Sequence, residues 1–373
     1  MSYSKDGFLR PVQSGPVSPE QDRRIRQVCP GVGLQLPLDD RPQHLLWGPF
    51  LSMYSGHATD PNLRRLGSSG GVLSAVLTYL LDNGEIDQIL QVAADPELKF
   101  ANRTITVAEC GDIAAAAGSR YAPSAPLADL EHHLASGQRF AFVGKPCDVA
   151  ALQAMKVGDA RIAERIPYLL SFFCAGVPSL AGAREILARM GVEEDEVTAF
   201  RYRGDGWPGM ARADLRNGTH REMSYADSWG GILSRHVQFR CKICPDGIGS
   251  FADVVCADAW EADEKGYPRF EERDGVSLAV GRSVKGDVLL RRAVESGYLE
   301  LSPFDPAGLS AIQPGQLSKR RFVLSRVLAL KLLWKPVPAY RGFHLLRNAM
   351  SGGLRGNVRN FLGTVRRAFL GRL

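Results

Sequence analysis

Seven cysteines hold most of the reactive chemistry available to this 373-residue chain: Cys29, Cys110, Cys147, Cys174, Cys241, Cys244 and Cys256. Two of them, Cys241 and Cys244, form a CxxC inside RCKICPDGIGSFADVVCADAW (residues 240–260). A CxxC is a dithiol or half of a metal or cluster site, so the other half has to be found. Cys147 and Cys174 are the candidates, because each follows directly on an apolar run, in RFAFVGKPC and YLLSFFC. A lone cysteine after a strand behaves as a small hydrophobe, and only the combination of four carries weight. Four thiolates suit either a tetrahedral zinc or a [4Fe-4S] cluster. Two single ligands far apart in sequence, in loops rich in Gly and Pro, favour the cluster. A structural zinc in a non-catalytic scaffold is the alternative.

The elements that must position these thiols are legible as alternating units. GSSGGVLSAVLTYLLDNG (residues 67–84) reads as a Gly/Ser loop entering an apolar helix, with Ser68 or Ser69 as cap and Asn83-Gly84 as the stop. EIDQILQVAA then reads as a strand. RFAFVG-KPC-DVAALQAM and YLLSFFC-AGVPS-LAGAREILARM each read as strand, short loop and helix, the second with Ser179 as N-cap. Near-continuous apolar strands alternating with helices predict a parallel sheet covered on both faces. If the two strands are neighbours, their ends lie about 5 Å apart, or about 10 Å with one strand between. Ligands bind at the carboxyl ends of such strands. VTAFRYRGDGWPGMARADLRNG predicts a hairpin with a turn at Gly204 to Gly209, and DGVSLAVGRSVKGDVLLRRAVESGYLEL predicts strand, turn, helix, strand. The expected fold class is α/β: a largely parallel or mixed sheet flanked by helices, with a β-rich insertion and a basic helical C-terminal tail. Four segments follow: an irregular lead-in at 1–45, α/β regions at 46–195 and 196–306, and a basic tail at 307–373.

Charge separates the tail from the rest. Between Lys319 and Arg372 there are 13 Lys and Arg, and no acid follows Asp305. The remainder carries 33 basic against 40 acidic residues, so the net charge of +6 belongs to the tail. A basic isoelectric point therefore gives no reason to expect a specific nucleic-acid partner. The tail alternates Leu, Val and Phe with Arg and Lys, a pattern suited to an anionic membrane surface through residues 319–373 or to a solvated extension. The N-terminal stretch lacks the apolar core of a signal peptide, and apolar runs reach only about ten residues, against roughly 20 for a span. A cytoplasmic protein is expected, held peripherally at a membrane if the tail engages one. No Ser–His–Asp grouping argues for hydrolysis. His132-His133 reads as an exposed helix face and His236 as a surface group.

Six blocks in one order, GSSGGVLSAVLTYLLDNGEID, GSRYAPS, FVGKPCDVAAL, FFCAGVPS, FRYRGDGWPG and CKICPDGIGSFADVVCADAW, resemble the coenzyme F420 hydrogenase/dehydrogenase beta-subunit family of iron–sulfur flavoproteins. The resemblance covers about residues 45–305 and implies an oxidoreductase holding FAD and one [4Fe-4S] cluster. Its members exchange electrons with F420-type deazaflavin or with ferredoxin, often beside a partner redox subunit. By motif, Cys147, Cys174, Cys241 and Cys244 would ligate the cluster. Gly67, Ser68, Ser69, Gly70 and Gly71, with Arg120, Tyr121, Ser124, Gly144, Lys145 and Pro146, would contact the flavin, making 46–195 the flavin-binding region. A Gly/Ser loop at a helix start offers free N–H groups to a pyrophosphate. Lys145 could stabilise an anionic reduced flavin, and Tyr202 and Trp207 could stack on a planar ring. The chain departs from the family in lacking the N-terminal ferredoxin-like cluster module: that region holds only Cys29. Cys110 and Cys256 match no ligand position and are read as structural.

Overall fold

The computed structural model describes residues 1–37, 39–260 and 272–371. Eleven strands and eight helices frame the argument, named here in chain order. They are β1 (Ser52–Ala58), α1 (Val72–Asp82), β2 (Gln88–Ala94), β3 (Asn102–Val107), β4 (Phe140–Val143), α2 (Pro146–Lys156), β5 (Tyr168–Phe172) and α3 (Leu180–Met190). After these come β6 (Val197–Arg201), β7 (Ala211–Leu215), β8 (His220–Met223), α4 (Phe239–Lys242), β9 (Val254–Asp258), β10 (Ser277–Gly281), α5 (Val284–Glu295) and β11 (Leu299–Pro303). The chain closes with α6 (Pro314–Leu332), α7 (Leu345–Ser351) and α8 (Leu354–Phe369).

Eight strands form one mixed sheet in the order β11-β1-β10-β9-β5-β4-β2-β3. Its centre, β9-β5-β4-β2, is parallel, and the two strands bearing Cys147 and Cys174 beyond their ends are immediate neighbours, pairing Leu169 with Phe142. Both margins run antiparallel. Every residue of β4 and of β10 is buried, as a sheet covered on both faces requires. Alternate side chains feed two cores. Leu170, Val254 and Ala279 pack under α1 and α5, while Leu169, Val255 and Leu278 pack with Trp47, Val149 and Leu152 on the other face. Each fully buried Leu or Val contributes about 1.5–3 kcal/mol, so register here is strongly specified. The hairpin predicted over 197–218 is present as β6 and β7, with β8 added as a third strand, and it packs on α3.

Several expectations need correction. Neither Ser68 nor Ser69 caps α1. The N-cap is Gly71, in the left-handed region at φ 73°, with no side-chain cap. The reason is packing: Ser69 Oγ donates to Val276 O at 2.8 Å and Gly70 N–H donates to Ser277 Oγ at 2.8 Å, which ties the loop to β10. A Cβ on Gly70 would lie 2.6 Å from Gly56 O, so this glycine is needed for the close approach of backbones. Ser179 is the N-cap residue of α3 as expected, with no side-chain capping bond. The lead-in is not wholly irregular, since Pro19–Val28 is a helix closed by a Ser18–Gln21 capping box. The tail is no free extension either: α6 packs against α7 and α8, and Arg326 donates to Lys242 O at 2.6 Å.

Candidate functional site

The parallel strands β4 and β5 deliver two thiols to one edge of the sheet. Beyond β4 the chain turns through Gly144 and Lys145 into α2, whose second residue is Cys147. Beyond β5 it passes Phe173, whose N–H donates to Cys256 O at 2.9 Å, and reaches Cys174. Ser171 Oγ donates to Gly144 O at 2.9 Å and locks the two strand ends together.

The CxxC is brought to the same place by backbone pairing. Gln238 N–H donates to Val177 O at 2.9 Å, Ser179 N–H to His236 O at 3.1 Å, and Cys174 N–H to Gly247 O at 2.7 Å. Gly176 permits the approach. Its φ is +135°, and a Cβ there would lie 2.4 Å from Val237 Cγ1 and 3.0 Å from Cys241 Cβ. From the far side, α6 closes the edge: Lys319 Nζ donates to Cys174 O at 3.1 Å and Arg320 donates to Pro245 O.

The four thiols expected to act together feel one another's charge. Burial pushes Cys147 well above the usual thiol range; Asp148, Cys174 and Cys241 add to the rise and Lys145 opposes it. Burial likewise pushes Cys174 up to about 11, against the pull of Lys319 and with Cys241 and Cys244 adding to it. Cys244 rises for the same first reason, burial. At neutral pH Cys147, Cys174 and Cys244 are therefore thiols, and a thiophilic cation binding them would release their protons. Among the described residues, no group of three or more His, Cys, Asp or Glu is gathered closely enough to hold a metal ion. The four thiols come from three segments, with cationic Lys145, Lys319 and Arg320 beside them.

Next to the thiols lies a second cluster of motif residues. Lys145 Nζ donates to Ser124 Oγ at 2.7 Å and pairs with Asp148 at 2.7 Å, joining the GSRYAPS and GKPC loops. Burial works against its charged form, but Asp148 and Cys147 outweigh that and the net shift is upward. The loop at 67–71 meets the RYRGDG turn and the start of the GSRYAPS loop, where a Cβ on Gly118 would lie 3.7 Å from Leu66 O. Arg201 donates to Leu66 O at 3.2 Å, and a Cβ on Gly204 would lie 2.7 Å from that carbonyl. Ser68 Oγ is buried without a hydrogen-bond partner, and the first turn of α1 lacks a side-chain cap, so unspent polar groups sit beside the loop. Gly144 and Pro146 flank Lys145 in the turn into α2.

Other expected contacts are occupied elsewhere. The Arg120 guanidinium donates to Asn102 Oδ1 and to the carbonyls of Phe200, Lys99 and Ala101, stapling its loop to β6 and to the chain before β3. Tyr121 packs on Trp229 with ring centres 4.7 Å apart. Tyr202 is buried with its hydroxyl on Phe100 O at 2.6 Å, and Trp207 stacks on Trp260 at 4.8 Å, so both serve packing. His236 pairs with Glu185 at 2.7 Å. Cys256 lies in the core, and Cys110 Sγ sits 2.9 Å from Asp82 Oδ1.

Sequence reasoning missed the ion pair of Arg203 with Asp258, bidentate at 2.6 and 2.8 Å with Arg203 2% exposed. Asp258 also accepts from Trp207 Nε1 at 3.0 Å, and Arg203 lies over the rings of Tyr225 and Trp260. The pair clamps the GDGWPG turn to the carboxyl end of β9. Its two halves sit in FRYRGDGWPG and CADAW, which is the signal that could have suggested it.

Comparison with known proteins gives consistent findings. Residues 53–131 match the model for the N-terminal part of the coenzyme F420 hydrogenase/dehydrogenase beta subunit, and residues 137–307 match the model for its C terminus. The coenzyme F420 hydrogenase subunit beta of Methanothermobacter thermautotrophicus is 24% identical over 306 residues, covering 79% of this chain and 100% of that protein. The F420-dependent formate dehydrogenase 1 subunit beta of Methanococcus maripaludis is 25% identical over 259 residues, 69% of this chain and 63% of that protein. A chain of the xenon-derivatised F420-reducing [NiFe] hydrogenase complex of Methanosarcina barkeri shares the fold. It superposes with a TM-score of 0.63 at 19% identity, covering 79% of this chain and 98% of that one.

Proposed function

The chain belongs to the coenzyme F420 hydrogenase/dehydrogenase beta-subunit family, and from that premise we propose that it passes electrons between an F420-type deazaflavin and a one-electron carrier, by way of FAD and one [4Fe-4S] cluster. It is an oxidoreductase of that family's type. What supports the finer reading is the mutual electrostatic influence of Cys147, Cys174, Cys241 and Cys244 beyond the carboxyl ends of β4 and β5, beside the Lys145–Ser124 contact. FAD when bound supplies the exchange between paired and single electrons, and the cluster supplies a one-electron store.

The protein's share is placement and charge. The four cysteines would hold the cluster, with Gly176 keeping the CxxC against the Cys174 loop. Gly67, Ser68, Ser69, Gly70 and Gly71 would contact the flavin from the Gly/Ser loop, where the start of α1 lacks a side-chain cap and suits phosphate charge. Ser124, Gly144, Lys145 and Pro146 would contact it from the joined GSRYAPS and GKPC loops, with Arg120 and Tyr121 bracing the first of these. Lys145, held between Asp148 and Ser124, keeps a positive charge where reduction adds negative charge. A buried ammonium in that position acts through a low local dielectric, which strengthens it. Ferredoxin or a partner redox subunit would serve the one-electron side, where Lys319 of α6 reaches the Cys174 carbonyl.

Anaerobic purification followed by iron, sulfide, zinc and flavin analysis tests this reading. About four irons and about one FAD per chain are expected, with flavin bleaching on addition of reduced deazaflavin. Cys241→Ser should abolish the cluster absorbance while the FAD content persists. One zinc with no flavin, even after reconstitution with iron, sulfide and FAD, would refute the proposal and establish a metal-stabilised scaffold.

A further inference from the structure

Helix α8 is oriented against the usual rule for a surface helix. Its polar side chains face the body. Thr364 is fully buried, Asn357 Oδ1 accepts from Ser325 Oγ at 2.5 Å, and Asn360 Oδ1 accepts from Arg326 at 2.9 and 3.1 Å. Its apolar side chains face outward: Leu354, Val358, Leu362 and Phe369 are 80%, 47%, 57% and 79% exposed. At about 100° per residue, these four share an arc of about 80° on the helix. The neighbouring helices repeat the pattern. Leu346 and Met350 of α7 are 66% and 74% exposed, and beyond the end of α6 Trp334 is 95% exposed. Both α7 and α8 pack on α6. Extended apolar surface of this kind marks an interaction face.

We infer that this face lies on an anionic membrane surface, with α8 in the plane of the interface. Three observations select that occupant. First, the rim is cationic without relief: Arg355, Arg359 and Arg366 are exposed beside the stripe, and no acidic residue follows Asp305. A second copy of the chain would bring the same uncompensated cations face to face. An anionic bilayer instead attracts each of them and accepts the apolar stripe. Second, the fully exposed indole of Trp334 is of the type that partitions to the headgroup level. Third, α8 has 16 residues, about 24 Å, and no helix among the described residues is long and apolar enough to cross a membrane. The helix therefore lies on the surface. All three helices lie beyond residue 307, where the family match ends. The inference does not depend on which cofactors the thiol site holds.

Flotation of the full chain with vesicles tests it. The protein should float with mixed phosphatidylglycerol–phosphatidylcholine vesicles, stay behind with pure phosphatidylcholine, and be released by salt. Replacing Arg355, Arg359 and Arg366 together by Gln should weaken binding about a hundredfold, at about fivefold per cation. Leu354→Glu with Leu362→Glu should abolish it while the melting temperature stays unchanged, because these side chains contact solvent rather than core. Three results would overturn the inference. They are failure to float on anionic vesicles at low salt, undiminished binding by the double Glu variant, and a wild-type dimer that the double Glu variant converts to monomer. In the last case a second copy is the occupant.

Discussion

Gly176→Ala is the sharpest perturbation of the thiol site. The added methyl meets two obstacles. The φ of +135° is one that a side-chain-bearing residue adopts at about 1–3 kcal/mol. The new Cβ would also stand 2.4 Å from Val237 Cγ1 and 3.0 Å from Cys241 Cβ, so the CxxC turn must move away from the Cys174 loop. Overpacking of that kind costs about 1–3 kcal/mol. Together the two give about 2–6 kcal/mol, concentrated on the pairing of Gln238 with Val177 and of Ser179 with His236. Urea unfolding of the metal-free protein reads the cost, and iron per chain after reconstitution reads the geometry. We expect the midpoint to fall and iron to drop far more than FAD. Gly315→Ala is the control: nothing lies within 4 Å of its Cβ position in α6, and Ala in a helix gains up to about 1 kcal/mol. A Gly176→Ala protein with wild-type midpoint and full iron would show that the loop and the CxxC are not held together as argued.

Two further outcomes follow from the buried charges. Arg203→Met removes the buried guanidinium partner of the half-buried Asp258, to which Trp207 Nε1 still donates, and should lower stability by about 3 kcal/mol in a denaturant titration. An unchanged midpoint would mean that Asp258 is solvated there. Cys256 is pushed up to about 12 by burial, so its folded-state value lies above its unfolded value and the neutral thiol is favoured by folding. That contribution is complete below about pH 8.5 and is lost as pH rises towards 12, at up to about 1.4 kcal/mol per pH unit. Cys256→Ala should flatten the alkaline slope of stability, and equal slopes in the two proteins would remove Cys256 as a cause.

The repeated strand–loop–helix units were readable because their signal is local. Apolar runs such as FAFV and YLLSF, each ending in a Gly/Pro or Cys turn, specify buried parallel strands whatever their neighbours are. That puts Cys147 and Cys174 at strand ends, while the pairing of the two strands is visible only in the sheet itself. What escaped was long-range and polar. Arg203 finds Asp258 55 residues away, and Arg282, buried, donates to the carbonyls of Trp47, Pro49 and Ile248. A carbonyl acceptor has no side-chain identity, so no spacing rule can announce it. The Gly/Ser loop failed for a related reason. Its residues suit a cap equally well, and only the proximity of Val276 and Ser277 decides that Ser69 bonds across to β10 instead.

The placement of α6 explains why a tail so uniformly basic is held against the body. Four thiols that deprotonate together would place several negative charges in a partly buried edge, and their mutual repulsion already raises Cys147 and Cys174. Lys319 lowers Cys174 and Cys244 against that repulsion, and Arg320 reaches the Pro245 carbonyl one residue after the CxxC. Burying Arg320 is costly by itself: desolvation pulls its guanidinium down to about 10, with Asp246 and Cys244 opposing. A cation kept at such a cost is best placed where an anionic assembly would compensate it. The same helix anchors Asn360 of α8 through Arg326. α6 therefore presents Lys319 and Arg320 to the thiol edge and, two turns on, Arg326 to α8, the helix that turns its apolar stripe outward.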